Sequence, residues 1–173
     1  GGVNGSLGQP ISNISITSDG LAFSHIYETG AIYWKIGGAP HEVHGSIYNK
    51  WKSMGAELSE LGYPLTDERP SSAGDGGYFT LFEHGAIYWT PYTGAHEIHG
   101  DIYSRWNTLG SELSELGYPL TDVQNVAEEG GSISYFQGGS IRVFSNNGTV
   151  QVLHSKDYVD IVMGQNDAYG LHP

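Results

Sequence analysis

The chain contains a long passage of itself. Residues 85–122 read GAIYWTPYTGAHEIHGDIYSRWNTLGSELSELGYPLTD. Residues 30–67, 55 positions earlier, read GAIYWKIGGAPHEVHGSIYNKWKSMGAELSELGYPLTD. Without gaps, 24 of these 38 positions are identical. An internal period of this size constrains the fold strongly, because each unit must bury its apolar face against a neighbour. The 173 residues otherwise read as a single repeat domain, 1–173, with units of approximately 7–61, 62–116 and 117–173.

Alternation of apolar and polar residues places strands at Ile14–Thr17 and Leu21–Tyr27 around an Asp19-Gly20 turn, and at Gly30–Ile36. The second copy repeats them at Tyr78–Phe82 and Ala86–Thr90, and the third at Ile133–Phe136, Ser140–Phe144 and Thr149–Leu153. Ile102, Trp106 and Leu109 then fall at i, i+4 and i+7, which predicts one apolar helix face and three core residues. Ser46 and Asp101 are the expected N-caps, and Gly55 and Gly110 the expected terminators. A second short helix is expected at Glu57–Leu61 and Glu112–Leu116, with Glu57/Glu60 and Glu112/Glu115 as a solvated face. Ser155–Gly164, with Tyr158, Ile161 and Val162 on one face, reads as a degenerate third helix. The expected fold class is therefore α+β: a pseudo-symmetric closed ring of about three repeats. Each repeat would be a β-hairpin followed by a helix and an LGxP turn. The C-terminal helix would lie beside Leu7–Pro10.

Net charge is −12 with seven Lys plus Arg, which argues against a nucleic-acid partner, because phosphate binding needs clustered cations. No apolar run is long enough to insert into a membrane. No signal peptide is visible, and the chain reads as a mature or trimmed form. Sequons at Asn4, Asn13 and Asn147 give a weak secretory hint. No cysteine is present, so no thiol nucleophile exists, and neither a G-x-S-x-G elbow nor a P-loop occurs.

LGYPLTD, preceded by a helix with Trp and Gly and joined to the F-x-x-G-x-I-Y-W hairpin at Phe82–Trp89, resembles the LGFP-repeat family. Tyr27–Trp34 is the earlier copy of that hairpin, and Leu7–Asn13, LGQPISN, a weaker copy of the motif. The resemblance covers about residues 7–144. It implies a secreted or cell-wall-associated module that binds wall polysaccharide, with a propeller-like pseudo-symmetric fold; it does not imply the mycolyltransferase activity of proteins that carry such repeats as appendages.

His41-Glu42-Val43-His44 and His96-Glu97-Ile98-His99 invite a zinc reading, but a zincin needs H-E-x-x-H on a helix. In an extended segment, i and i+3 point to opposite faces, so no metal or other cofactor is expected. Glu28 and Glu83 have Gln137 as their third-copy counterpart. Gln keeps an acceptor and loses the charge, so a hydrogen-bonding role fits there and a general acid or base does not. Tyr33-Trp34 and Tyr88-Trp89 end their strands beside His41 and His96. The third copy has Arg142-Val143 there, reads as lacking the His loop, and has Asp160 at the helix Trp position. This joint loss fits either a packed corner or a ligand site. Taken as a site, it groups Trp34, Trp89, His41, His96, Glu28, Glu83, Tyr33 and Tyr88 around an oligosaccharide or polysaccharide. The expected function is a non-catalytic carbohydrate-binding protein or lectin. A small wall hydrolase using the His/Glu loops and a protein-binding structural module are the alternatives.

Overall fold

The structure is a computed structural model that describes residues 5–127 and 130–156. It holds three four-stranded antiparallel sheets, each with its strands in sequence order. The first contains β1 (Ser15–Ile16), β2 (Ala22–Ile26), β3 (Gly30–Lys35) and β4 (His41–His44). The second contains β5 (Arg69–Pro70), β6 (Tyr78–Phe82), β7 (Gly85–Thr90) and β8 (Gly94–His99). The third contains β9 (Gln124–Asn125), β10 (Ser132–Phe136), β11 (Gly139–Val143) and β12 (Val150–His154). Helix α1 (Gly45–Ser53) follows the first sheet and α2 (Gly100–Leu109) the second.

This corrects the expected architecture. The described chain is mostly β, and the sheets are separate: strand hydrogen bonds stay within each repeat, and no sheet closes into a ring or propeller. Strands beyond the expected ones account for the difference: β4 in the first unit, β5 and β8 in the second and β9 in the third, whereas β1 and β12 fall at the expected Ile14–Thr17 and Thr149–Leu153. The HEVH and HEIH segments pair with the hairpin as β4 and β8, and the short strands β1, β5 and β9 pair on its other side. The expected helix at Tyr158–Val162 lies outside the described residues.

Helices join neighbouring sheets. Ile47, Tyr48 and Trp51 of α1 pack with Ala31, Tyr33 and Val43 of the first sheet and with Phe82 and Ile87 of the second. Ile102 and Trp106 of α2 pack with Ala86, Tyr88 and Ile98 of the second sheet and with Phe136 and Ile141 of the third. The second sheet is therefore covered on both faces, which explains the nearly continuous burial of β7 against the alternation expected of a one-sided strand. Ile102 and Trp106 are fully buried as expected, and Leu109 is half-buried at the edge of the same cluster.

The helices begin two residues earlier than their polar residues suggest. His44 and His99 hold the N-cap positions in extended backbone without a side-chain cap, which puts Ser46 and Asp101 inside the first turn. Gly55 and Gly110 stop the helices at φ 108. The expected second helix is only a 3₁₀ turn at Ala56–Leu58 and Ser111–Leu113.

Candidate functional site

Much of the duplicated sequence builds the joints between units. The glycines of the LGxP motif, Gly8, Gly62 and Gly117, have φ of +73, +70 and +65. At each, a Cβ would stand 2.5 Å from the carboxylate or amide oxygen of Glu28, Glu83 or Gln137. Those same oxygens accept the next backbone N–H: Gln9 to Glu28 at 2.9 Å, Tyr63 to Glu83 at 3.0 Å and Tyr118 to Gln137 at 3.0 Å. Glu28 and Glu83 thus lock turns, and Gln137 performs the same task without charge. The indole N–H groups of Trp51 and Trp106 donate to the carbonyls of Gly62 and Gly117, both at 3.1 Å. The motif's tyrosines are buried, and their hydroxyls reach the preceding hairpin. Tyr63 donates to Asp19 at 2.7 Å, and Tyr118 donates to Ser71 at 2.6 Å.

The HExH strands carry a second set of joints. Asp67 Oδ1 accepts the Glu42 N–H, and Asp122 Oδ1 accepts the Glu97 N–H. His41 Nδ1 and His96 Nδ1 each stand 3.4 Å from the same Asp oxygen. Lys50 of α1 also bonds Asp122. Burial pushes the Asp122 carboxyl up, but His96, Lys50 and the Glu97 N–H outweigh it and bring the pKa down to about 2. His99 bonds Glu97 at 2.7 Å and Glu60 of the preceding unit at 2.6 Å. The Glu97 bond raises the His99 pKa against the opposing effect of burial. Glu60 is thus a cross-joint partner, and Glu112 accepts from Ser71, so the helix-turn glutamates are not simply a solvated face.

One histidine of the HExH pair survives in the third copy. His154 pairs with Gly139 in the register of His99 with Gly85 and His44 with Gly30, and it stands 3.6 Å from Glu115. Aligning the tail on Ser155 passes over it; the signal was an unshifted 55-residue offset from His99. Among the described residues, no group of three His, Cys, Asp or Glu side chains is arranged to hold a metal ion. The His99–Glu97 pair has the spacing of an acid–base dyad. Glu97, however, is 4% exposed and spends its other oxygen on the Val123 N–H at 3.1 Å, which leaves no room for a substrate.

Strand register divides the remaining candidates. Tyr33 pairs with His41 and Tyr88 with His96, so each His shares a face with the tyrosine, whereas Trp34 and Trp89 take the opposite face. Tyr33 and Tyr88 meet Trp51 and Trp106 edge-on at 4.8 Å in the core, where burial raises both phenols well above their usual range. Trp34 and Trp89 are half-buried.

The two copies then differ. In the first, the strand end opens on a cavity of about 170 Å³ lined by Tyr33, Trp34, Lys35, His41, Tyr63 and Leu65. Lys35 Nζ bonds Glu83 at 2.8 Å and lies 5.3 Å from the Tyr63 ring centroid. Trp34 stacks on Phe23 at 5.6 Å. In the second copy, Trp89 lies on the face covered by α1 and borders another cavity, of about 370 Å³, with Tyr78, His44, Ile47 and Glu68. A third opening, about 420 Å³, is lined by Phe79, Tyr88, Tyr103, Asn107, Glu112 and Leu113. The structure thus brings Trp34, Tyr33 and His41 to one cavity and places Trp89 and His96 apart.

Comparison with curated proteins finds no match. The family model described as "LGFP repeat" matches residues 7–59 and 61–114, two consecutive copies. These are the units defined by the LGQP and LGYP turns, each running through four strands and a helix to the next turn, and the match spans more than half of the sequence. The chain belongs to the LGFP repeat family.

Proposed function

We propose that this protein is a non-catalytic carbohydrate-binding module that acts outside the cell, at a cell wall, on a polysaccharide or oligosaccharide. The observation that carries the reading is the first-repeat cavity, where Tyr33, Trp34 and Tyr63 meet Lys35 and His41. Aromatic faces pack on sugar C–H groups, and a cation and an imidazole satisfy hydroxyls or acids at the rim. The joints absorb Glu28 and Glu83 into structure, and His96 spends its second ring nitrogen on the Thr93 carbonyl at 2.8 Å, which leaves Trp34, Tyr33 and His41 as the contacts of this site.

The test is retention on insoluble wall polysaccharide, measured with melting on the same preparation, for wild type and Trp34→Ala. Trp34 is half-buried, so its loss costs less stability than that of a fully buried Trp, about 3–5 kcal/mol. A folded variant that loses retention supports the reading. Undiminished retention rejects it.

A protein-binding role is favoured by one separate observation. Leu58 and Leu113 are 67% and 64% exposed at equivalent positions of both units. Loss of partner capture in Leu58→Ser/Leu113→Ser, with polysaccharide retention intact, would favour that role.

A further inference from the structure

We propose that the cleft between the first and second units takes the ammonium group of an amino sugar. This deepens the carbohydrate reading and rests on it, but it uses a different site.

The cleft, about 370 Å³, is the size of one or two sugar rings. One wall is aromatic. Tyr78 and Trp89 are cross-strand partners on β6 and β7, with ring centroids 6.2 Å apart and planes at 43°. Tyr78 is 39% exposed and Trp89 half-buried, so the pair offers ring surface to the cleft. The facing wall is acidic. Glu68 lines it from the residue before β5, beside His44 at the start of α1. Glu68 Oε2 is shut away from water and lacks a hydrogen-bond partner among the described residues. Its nearest ionisable neighbour is His44 Nδ1 at 3.5 Å, and Glu42 lies behind that imidazole at 3.9 Å. Burial, and the Glu42 charge beyond the imidazole, raise the Glu68 pKa against the opposing effect of His44, so a cation that reaches this carboxylate stabilises its ionised form.

A carboxylate held out of water gains most from a cation, and ring faces attract the same cation. A neutral sugar uses the rings and gains little from Glu68. An N-acetyl group carries no charge to meet it. An amino sugar uses both walls at once.

The next joint is an internal comparison. Fifty-five residues on, Val123 replaces Glu68. The cross-strand pair opposite is Ser132 with Val143 in place of Tyr78 with Trp89. Acid and rings are absent together, as expected if they serve one ligand, so each chain should hold one such site.

The experiment is calorimetry at neutral pH, which favours the ionised form of Glu68 despite its raised pKa, with three probes: glucosamine trisaccharide, N-acetylglucosamine trisaccharide and trilysine. Wild type should prefer the glucosamine trisaccharide by about tenfold or more over the other two. Glu68→Gln should abolish the preference and leave binding of the N-acetylated trisaccharide unchanged. Glu68→Val, which imports the residue of the next joint, should do the same if the Gln variant folds poorly. In wild type, the Trp89 indole N–H resonance, assigned with Trp89→Phe, should move on titration with the glucosamine trisaccharide. Equal binding of the two trisaccharides, a preference that survives both Glu68 variants, or an unmoved Trp89 resonance would each overturn the proposal. Trilysine binding as tightly as the amino sugar would overturn the sugar assignment. Wall-polysaccharide retention through Trp34 is read separately, so failure here leaves that reading standing.

Discussion

Replacing Gly62 with alanine tests whether the signature glycine exists for its backbone angle or for the carboxylate beside it. Gly62 has φ +70, which costs an L residue about 1–2 kcal/mol. Its Cβ would also sit 2.5 Å from Glu83 Oε2, so the carboxylate must leave. Leaving forfeits the 3.0 Å bond from the Tyr63 N–H, a charge-assisted bond worth about 1.5–3 kcal/mol. Gly62→Ala should therefore cost about 2.5–5 kcal/mol. Gly20 supplies the control: its φ is +75, yet nothing lies within 4 Å of a Cβ built there. Gly20→Ala should cost only the backbone share, about 1–2 kcal/mol. Urea unfolding with linear extrapolation gives both values. A third measurement closes the cycle: with Glu83→Ala already in place, Gly62→Ala should cost less than in the wild type, the backbone share plus the easing of a 3.2 Å contact with the Cβ that remains. Equal costs at Gly62 and Gly20, or a cost at Gly62 unchanged in the Glu83→Ala background, would refute the reasoning.

Three further outcomes are expected. The His99 pKa is raised, so its stabilising contribution is full below the ordinary value of 6.5 and is lost as pH rises through the folded value. The melting difference between wild type and His99→Gln should shrink from mildly acid to alkaline pH, and a constant difference would count against the pairing with Glu97 and Glu60. Asp122 is lowered to about 2, so its contribution is present above the ordinary carboxylate range and lost as pH falls toward 2; Asp122→Asn should destabilise at neutral pH and progressively less in acid, as read by urea midpoints across that range. Trp106 is fully buried and donates to the Gly117 carbonyl, so Trp106→Ala should cost about 3–5 kcal/mol in chemical unfolding, and a cost below about 1 kcal/mol would contradict the packing described.

Local order was legible in the sequence because it depends on near neighbours. The duplication, the hairpin strands, the Gly110 stop and the burial of Trp106 all follow from a repeated apolar period and from glycine's freedom at positive φ. The Glu28/Glu83/Gln137 comparison also separated hydrogen bonding from acid–base chemistry, since only an acceptor is common to all three. Separate sheets were not legible. HEIH carries no more strand signal than an extended loop, and it becomes β8 only because β7 offers an unpaired edge. The missing partners at the joints were equally out of reach: Glu60 finds His99, and Lys50 finds Asp122, across sequence gaps that no local pattern spans.

The candidate site shows the same division at one residue type. Trp34 and Trp89 stand in identical GAIYW segments, and their alternation with the preceding tyrosines is fixed by the strand period. Their surroundings are not. Helix α1 packs on the Trp89 face of the second sheet, while Trp34 stacks on Phe23 at 5.6 Å and borders the first-repeat cavity. Sequence determined which side chains each unit owns and which face of its strand each one takes. Only tertiary structure decided which of those faces a neighbouring unit covers, because that depends on a unit's place in the row and not on its own residues.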